Sequence, residues 1–419
     1  MSEPRIDAER FLGRLDAFAR IGATPKGGVN RQALSPEDRR ARRLLAELGQ
    51  ARGFGPGQDA IANLFIRREG KDNSRPRVLI GSHLDSQLTG GRFDGALGTL
   101  AAFEVLEALE DAGAETPFPV EAVAWTNEEG SHYQPGCMGS MAFASGSIPE
   151  QWTSLRGHDG SLFADELQAT LEALPEAATR PLGFPIAAYL ELHIEQGPSL
   201  ESENIPIGIV EGIQGTRWLE VEITGQSAHA GTTALGLRRD AMAAAVRGLD
   251  RLYAEIMPRD ARARFTVGRL AVERGAVNAI PEKICFTIDL RHPESAVLDR
   301  LETFIRSTLA EAAAGCGCAS TLRRTFDMPP TVFSSLLLER LNEAADSLGL
   351  ASKSMLSGAF HDALFVNRVA PTAMIFVPCR DGLSHNEAEY VEPDQAVAGA
   401  QMLLASTLTV LDNWGQILL

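Results

Sequence analysis

Short apolar runs that end in polar, glycine-rich loops recur along this chain. Val78-Leu79-Ile80 precedes residues 81–98 (GSHLDSQLTGGRFDGALG), residues 118–126 (FPVEAVAWT) precede Asn127-Glu128-Glu129-Gly130, and residues 187–194 (AAYLELHI) lead into Glu195-Gln196-Gly197. Runs of this length bounded by Gly, Pro and Asn read as buried strands. Helical spacing covers 5–22, begins again at Ser35-Pro36, and returns over 97–109 and 161–174; residues 59–67 are predicted as a strand. Strand, polar loop, helix is the order in which an open α/β sheet presents ligand-binding groups, beyond the carboxyl ends of its strands.

From about residue 209 the pattern changes. Strands are predicted at 218–224, 265–272, 284–291 and 319–326, with helices at 239–256 and 296–314. The resulting β-α-β-β-α-β order is ferredoxin-like. After Pro329-Pro330 come a helix over 334–348, a strand over 372–377 and a closing helix from about 393 to 412. The fold class read from this is α/β: a mixed-sheet domain formed by 1–208 and 327–419, interrupted by an α+β domain at 209–326. A length of 419 residues suits two domains.

Composition narrows the classes of partner. A formal net charge of −16 argues against nucleic acid or an anionic membrane, both of which need basic patches. No apolar run approaches the roughly 18 residues of a membrane span, and the charged start MSEPRIDAERFLGRL has no signal-type core. Cys137, Cys285, Cys316, Cys318 and Cys379 are scattered and odd in number, which gives no disulfide framework. The expectation is a cytoplasmic protein.

The strand-end residues carry the chemistry. His83 and Asp94 share one loop, while Glu128, Glu129, His193 and His385 each follow another apolar run. Imidazoles and carboxylates are the usual ligands of catalytic divalent ions. Five ligands serve two ions if one carboxylate bridges them, and paired ions activate a water and polarise a carbonyl. Asp85, two residues from His83, is placed to orient its ring. Of the adjacent glutamates, one can hold an ion and the other act as general base, provided the loop bends. His132, His158 and His292 are read as structural or solvated.

These motifs, together with EGIQGTRW, GQSAHAGTT, DLRHPE, SGAFHDA and IFVPCRDGLSHNEAE, resemble one branch of the dinuclear metallopeptidase superfamily. That branch contains N-carbamoyl-L-amino-acid hydrolases, allantoate amidohydrolases and β-ureidopropionases, and the resemblance runs from about residue 25 to the C-terminus. It implies a catalytic domain of the zinc exopeptidase type interrupted by a ferredoxin-like dimerisation, or lid, domain, in a homodimer. It also implies two divalent ions, zinc by default, with manganese, cobalt or nickel as alternatives. Asp94 would bridge them, with His83 and His193 on one ion, Glu129 and His385 on the other, and Glu128 as the base. His229 would reach the partner subunit's active site to stabilise an oxyanion. Asn278 and Arg291 would hold a substrate carboxylate, with Gln196 and His361 near the substrate. A pairing of Arg291 with Asp289 is the plainer alternative for that arginine.

The implied reaction is cleavage of the carbamoyl C–N bond of a small carboxylate-bearing substrate, an N-carbamoyl-L-amino acid first. Allantoate or another ureide is the alternative, then an N-acyl amino acid or small peptide, then a metal-depleted homologue that only binds its ligand. Three places depart from the branch's pattern: Phe360 where glycine is usual before His-Asp, Cys379-Arg380-Asp381-Gly382 where small polar residues are usual, and His132-Tyr133 where Arg-Phe is common. They bear on the substrate rather than on the metal chemistry.

Overall fold

The structure, a computed structural model, describes residues 3–413. The chain forms two compact units, Met1–Glu211 with Phe333–Leu419, and Gly212–Val332. Among the described residues no helix is long and apolar enough to cross a membrane.

The first unit begins with α1 (Ala8–Ala19), whose Asp7 carboxylate caps the N-terminus by accepting from Arg10 N, and which buries Phe11, Leu15 and Phe18 at helical spacing. In α2 (Pro36–Ala51) Ser35 is the N-cap and Pro36 stands at the first helical position, where its missing N–H costs nothing. The strands β1 (Gly55–Gln58), β2 (Leu64–Arg68) and β3 (Arg77–His83) follow, then α3 (Ala96–Asp111) and β4 (Val120–Trp125). Next come α4 (Met138–Ser145), α5 (Phe163–Glu172), β5 (Ala178–Thr179), β6 (Ile186–Ile194), α6 (Ser199–Glu203) and β7 (Ile207–Ile213). After the second unit the chain adds α9 (Ser335–Leu348), β15 (Ser352–Ser357), α10 (Ala363–Val366), β16 (Thr372–Val377) and α11 (Pro393–Asp412). Their sheet runs β7-β16-β6-β3-β4-β2-β1-β5, with β15 pairing β7. The strands β16, β6, β3 and β4 are parallel neighbours, so their carboxyl ends lie along one edge. Every residue of β4 and β16 is buried, as expected of strands covered on both faces. The helix α3 is buried over its whole length from Ala96 to Leu109, which explains why its apolar residues show little sidedness.

One strand prediction is corrected. Residues 59–62 form a turn and only Leu64–Arg68 pairs, because the Asp59 carboxylate accepts from Ile61 N and Asn63 N, and Ala62 takes φ 61°. The short strand β1, with sequence GPGQ, carried no periodic signal.

The second unit contains β8 (Gly215–Thr224), β9 (Ala228–His229), α7 (Ala241–Glu255), β10 (Arg264–Glu273), β11 (Ala279–Ile280), β12 (Lys283–His292), α8 (Ser295–Ala314), β13 (Ala319–Met328) and β14 (Thr331–Val332). Its four-stranded sheet has the order β10-β12-β8-β13, all antiparallel. With helices after the first and third of these strands, this is the ferredoxin-like connection. Leu219, Val221, Ile223, Phe286, Ile288 and Leu290 on the sheet pack with Leu252, Ile305 and Leu309 of the two helices. The chain passes between the units after Glu211 and after Val332, beyond the 208/209 and 326/327 junctions read from sequence: Gly208, Ile209 and Val210 still pair with β16, and β13 runs on to Met328.

Candidate metal centre

The carboxyl edge of the parallel strands gathers most of the predicted residues. His83 is the last residue of β3, and His193 the penultimate residue of β6. The β4 strand stops at Trp125; Asn127 then adopts φ 55°, and this left-handed turn swings Glu128 and Glu129 off the strand axis. The bend that the adjacent glutamates required is therefore present. Asp94 stands just before α3, and His385 follows β16 in a loop where it has φ 53°. Gly95, between Asp94 and α3, lies against the imidazole of His83: a Cβ there would come within 2.3 Å of Cε1.

The donor atoms form two groups that share Asp94, namely His83, Asp94 and His193, and Asp94, Glu129 and His385; within each group the atoms lie within 4.8 Å of one another. His193 Nε2 is 3.1 Å and His83 Nε2 3.5 Å from Asp94 Oδ1, while His385 Nε2 is 3.6 Å from Asp94 Oδ2 and 3.3 Å from Glu129 Oε2. Glu128 Oε2 faces His83 Nε2 at 3.6 Å.

The tautomers decide what fits here. His83 Nδ1 lies 3.0 Å from the Asp85 carbonyl and His193 Nδ1 3.0 Å from the Ile194 carbonyl. A carbonyl only accepts, so both rings carry a proton on Nδ1 and turn Nε2, the atom left for a metal, towards a carboxylate oxygen. The His83 Nε2 atom is buried without a hydrogen-bond partner. Nε2 faces a carboxylate oxygen in this way only with a positive charge between them, which a proton on the ring supplies or, with the ring neutral at Nε2, a divalent cation. The acid–base balance shows how strongly these carboxylates draw a positive charge. Burial pulls the His83 imidazole down, but the carboxylates of Glu128, Asp94 and Asp85 outweigh it and hold it well above its ordinary value. Burial, reinforced by neighbouring carboxylates, pushes Glu128 and Glu129 well above theirs. The residues present fit a divalent-ion site.

Asp85 acts differently from expectation. Its backbone carbonyl, not its carboxylate, orients His83; the carboxylate accepts from the backbone N–H of Glu128 (3.3 Å) and Glu129 (3.2 Å). It thus ties the His83 loop to the glutamate loop. The reason is reach: two residues past the histidine, the carbonyl comes closer to Nδ1 than the carboxylate, which stays 3.7 Å away.

A profile of peptidase family M20/M25/M40 matches residues 79–408. The chain belongs to that family. It is 37% identical over 405 residues to an N-carbamoyl-L-amino-acid amidohydrolase of Rhizobium meliloti, covering 96% of each chain. It is 34% identical over 400 residues to the allantoate amidohydrolase of Escherichia coli, covering 94% of this chain and 95% of the relative. Among solved structures, an amidase of the hydantoinase/carbamoylase family from Burkholderia multivorans superposes with TM-score 0.91 at 41% identity, covering 97% of this chain and 98% of that one. The family assignment and the two donor groups together indicate a hydrolase that binds divalent metal.

Other predicted residues of this M20 chain fall in varied surroundings. Gln196, at φ 56°, donates from Nε2 to Asp94 Oδ2 (2.9 Å) and Ser384 Oγ (3.0 Å). The buried His361 ring packs edge-on against His193 with centroids 4.5 Å apart, its Nε2 3.0 Å from Ser357 Oγ. In the second unit, β9 pairs with β11, and Ala230 N donates to Asn278 O (2.9 Å), which brings His229 and Asn278 together. Arg291 makes a two-pronged contact with Asp289 at 2.9 and 2.7 Å, the plainer pairing weighed for it. His132 and His158 meet through their Nδ1 atoms at 2.9 Å, and buried His292 holds Asp260 at 3.0 Å.

Sequence reasoning assigned no role to several neighbours of the centre. Gln87 donates to both oxygens of Glu129, and the Cys137 thiol faces Glu128 Oε1 at 3.6 Å. Behind His83 and His193, buried Glu191 accepts from Ser82 Oγ (2.8 Å) and Ala363 N (2.9 Å), and Asp362 accepts from Ser140 Oγ. For Gln87, Glu191 and Asp362 the available signal was position within the quoted motifs; Cys137 lies outside them, eight residues after Glu129.

Proposed function

We propose that this chain hydrolyses the carbamoyl C–N bond of N-carbamoyl-L-amino acids, giving the amino acid, carbon dioxide and ammonia. The observation that carries the reading is the pair of donor groups sharing Asp94 with Glu128 at their side, in a chain similar over nearly its whole length to N-carbamoyl-L-amino-acid amidohydrolases. His83, His193 and Asp94 would hold one divalent ion, and Asp94, Glu129 and His385 a second, zinc being the first choice. Bound there, the ions would lower the pKa of a water and polarise the scissile carbonyl.

Glu128 takes the proton from the attacking water at Oε2, the oxygen facing the centre, and returns it to the departing nitrogen. Its burial, beside other carboxylates, raises its basicity to suit both tasks. In this reading Gln196 and His361 border the substrate, Asn278 and Arg291 bind its carboxylate through a planar two-pronged match, and His229 stabilises the oxyanion of the partner subunit in a cytoplasmic homodimer. For Arg291 this requires exchanging Asp289 for substrate.

An ammonia-release assay with the zinc- or manganese-loaded protein tests the proposal against N-carbamoyl-L-amino acids, N-carbamoyl-β-alanine, allantoate and N-acyl amino acids. The highest kcat/KM is expected on an N-carbamoyl-L-amino acid. The E. coli relative favours allantoate as the second reading, and a preference for it would replace the first. Turnover of N-acyl substrates alone, detected as free amino acid without ammonia, would rule out both.

A further inference from the structure

The loop that follows β16 does more than deliver His385. Four residues later Glu389 is 2% exposed, and its Oε1 accepts from the backbone N–H of Phe93 (2.9 Å) and of Asp94 (3.0 Å), nearly three hundred residues away in sequence. Its other oxygen meets Ser384 Oγ at 3.3 Å, and that same hydroxyl is 2.8 Å from Asp94 Oδ2. Asp94 is thus gripped at both ends, by Glu389 at its backbone and by Ser384 at its carboxylate. The opening loop is cut to receive this clamp: a Cβ on Gly91 would lie 2.0 Å from the Glu389 carboxyl carbon, so the second glycine of TGGRFDG is the space that the last glutamate of SHNEAE fills.

We propose that Glu389 is a positioning residue for the metal centre: it locks the His385 loop onto the Asp94 loop and so fixes the carboxylate that both donor groups share. This rests on the reading of the centre given above. Among the described residues no side chain of Lys or Arg joins the clamp; Glu389 is held by two backbone N–H donors and lies beside the Ser384 hydroxyl. Its function is therefore hydrogen-bond geometry rather than charge pairing. Asp94 is the one residue common to both groups, so displacing its backbone by a few tenths of an ångström disturbs every ligand distance at once.

The test is a titration of chelator-stripped full-length protein with zinc ions against a chromophoric competitor, with thermal unfolding of the stripped protein alongside. Replacing the partner that orients a ligand typically weakens metal binding about 10–100-fold, and that loss is expected for Glu389→Ala. Glu389→Gln keeps an oxygen for the two N–H groups and should bind within about threefold of wild type. Gly91→Ala, which leaves Glu389 in the chain but evicts its carboxylate, should mimic Glu389→Ala and decides the matter if the alanine variant fails to fold. Zinc affinity unchanged in both Glu389→Ala and Gly91→Ala, even with a lowered melting temperature, would make the clamp merely structural and overturn the proposal. So would an equal loss in the Gln and Ala variants, which would mean that charge is what counts. Wild-type protein that binds no zinc would instead overturn the metal reading itself.

Discussion

Two clusters of buried carboxylates lie in the first unit, and they are treated in opposite ways. On the outer side of α3, Glu104 and Glu107 are inaccessible to solvent, yet each faces arginines: Arg10 Nη2 is 2.6 Å from Glu104, Arg14 Nη2 is 2.8 Å from Glu107, and Arg52 reaches both Glu107 and Asp111. At the amino end of the same helix Asp94 and Glu389 are buried and the neighbouring Glu128 and Glu129 mostly so, but their partners are imidazoles, amides, hydroxyls and a thiol. Burial and the charge of Asp94 push Glu389 up to about 8, against the opposing N–H donors of Phe93 and Asp94. Charge that is matched by arginine belongs to the fold. Charge left unmatched inside a protein is costly by several kcal/mol per ion, and it persists where a cation is expected to arrive.

Removing metal should give the sharpest contrast. Chelation is expected to abolish turnover and lower the melting temperature, because an ion bound only to the folded state stabilises it by mass action; activity that survives exhaustive chelation, checked by elemental analysis, would erase the distinction between the clusters. Next in size, Glu128→Gln should cut kcat by about 10²–10⁴-fold, the usual range for a general base, with metal content unchanged. A rate near wild type would remove Glu128 from that role. In the matched cluster, Glu104→Ala takes from Arg10 its two-pronged partner, leaving it Glu107 and Asp111, and should cost about 1.5–3 kcal/mol in urea unfolding, the usual worth of hydrogen bonds to a charged group, while kcat per folded molecule and metal content stay normal. A change in metal affinity there would show that the two clusters are coupled along α3. The smallest effect belongs to Cys137: losing its contact with Glu128 Oε1 should lower kcat about fivefold in Cys137→Ala, with KM little changed and recovery in Cys137→Ser, which retains a donor.

The same contrast explains what could be read in advance. The strands that carry His83 and His193 and the one that leads to Glu128 were legible because they are buried on both faces and so appear as unbroken apolar runs. Their polar termini stand out against that background. The ferredoxin-like order was legible for a related reason: β12 alternates buried and half-buried residues along its whole length. By contrast β7 is broken by Gly208 and Gly212, and α4, with sequence MGSMAFAS, shows almost no sidedness; neither carries a period to detect. Glu389 and Ser384 escaped notice because their partners are a backbone amide and a carboxylate 290 or more positions away, contacts that no local pattern encodes. Asp85 shows the limit from the other side. Its carboxylate was expected to orient His83, but loop geometry gave that contact to its backbone carbonyl, which no side-chain pattern encodes.

The junctions described earlier make the chain modular. In the first unit the severed ends meet, Phe333 N donating to Glu211 O at 2.9 Å, and in the second Val332 pairs with Gly212. Each unit is therefore closed on itself at the seam, as inserted domains with neighbouring termini tend to be. A linker of a few residues from Glu211 to Phe333 would restore a continuous polypeptide containing every ligand candidate, losing from the larger sheet only its edge strand β14 and the end of β7.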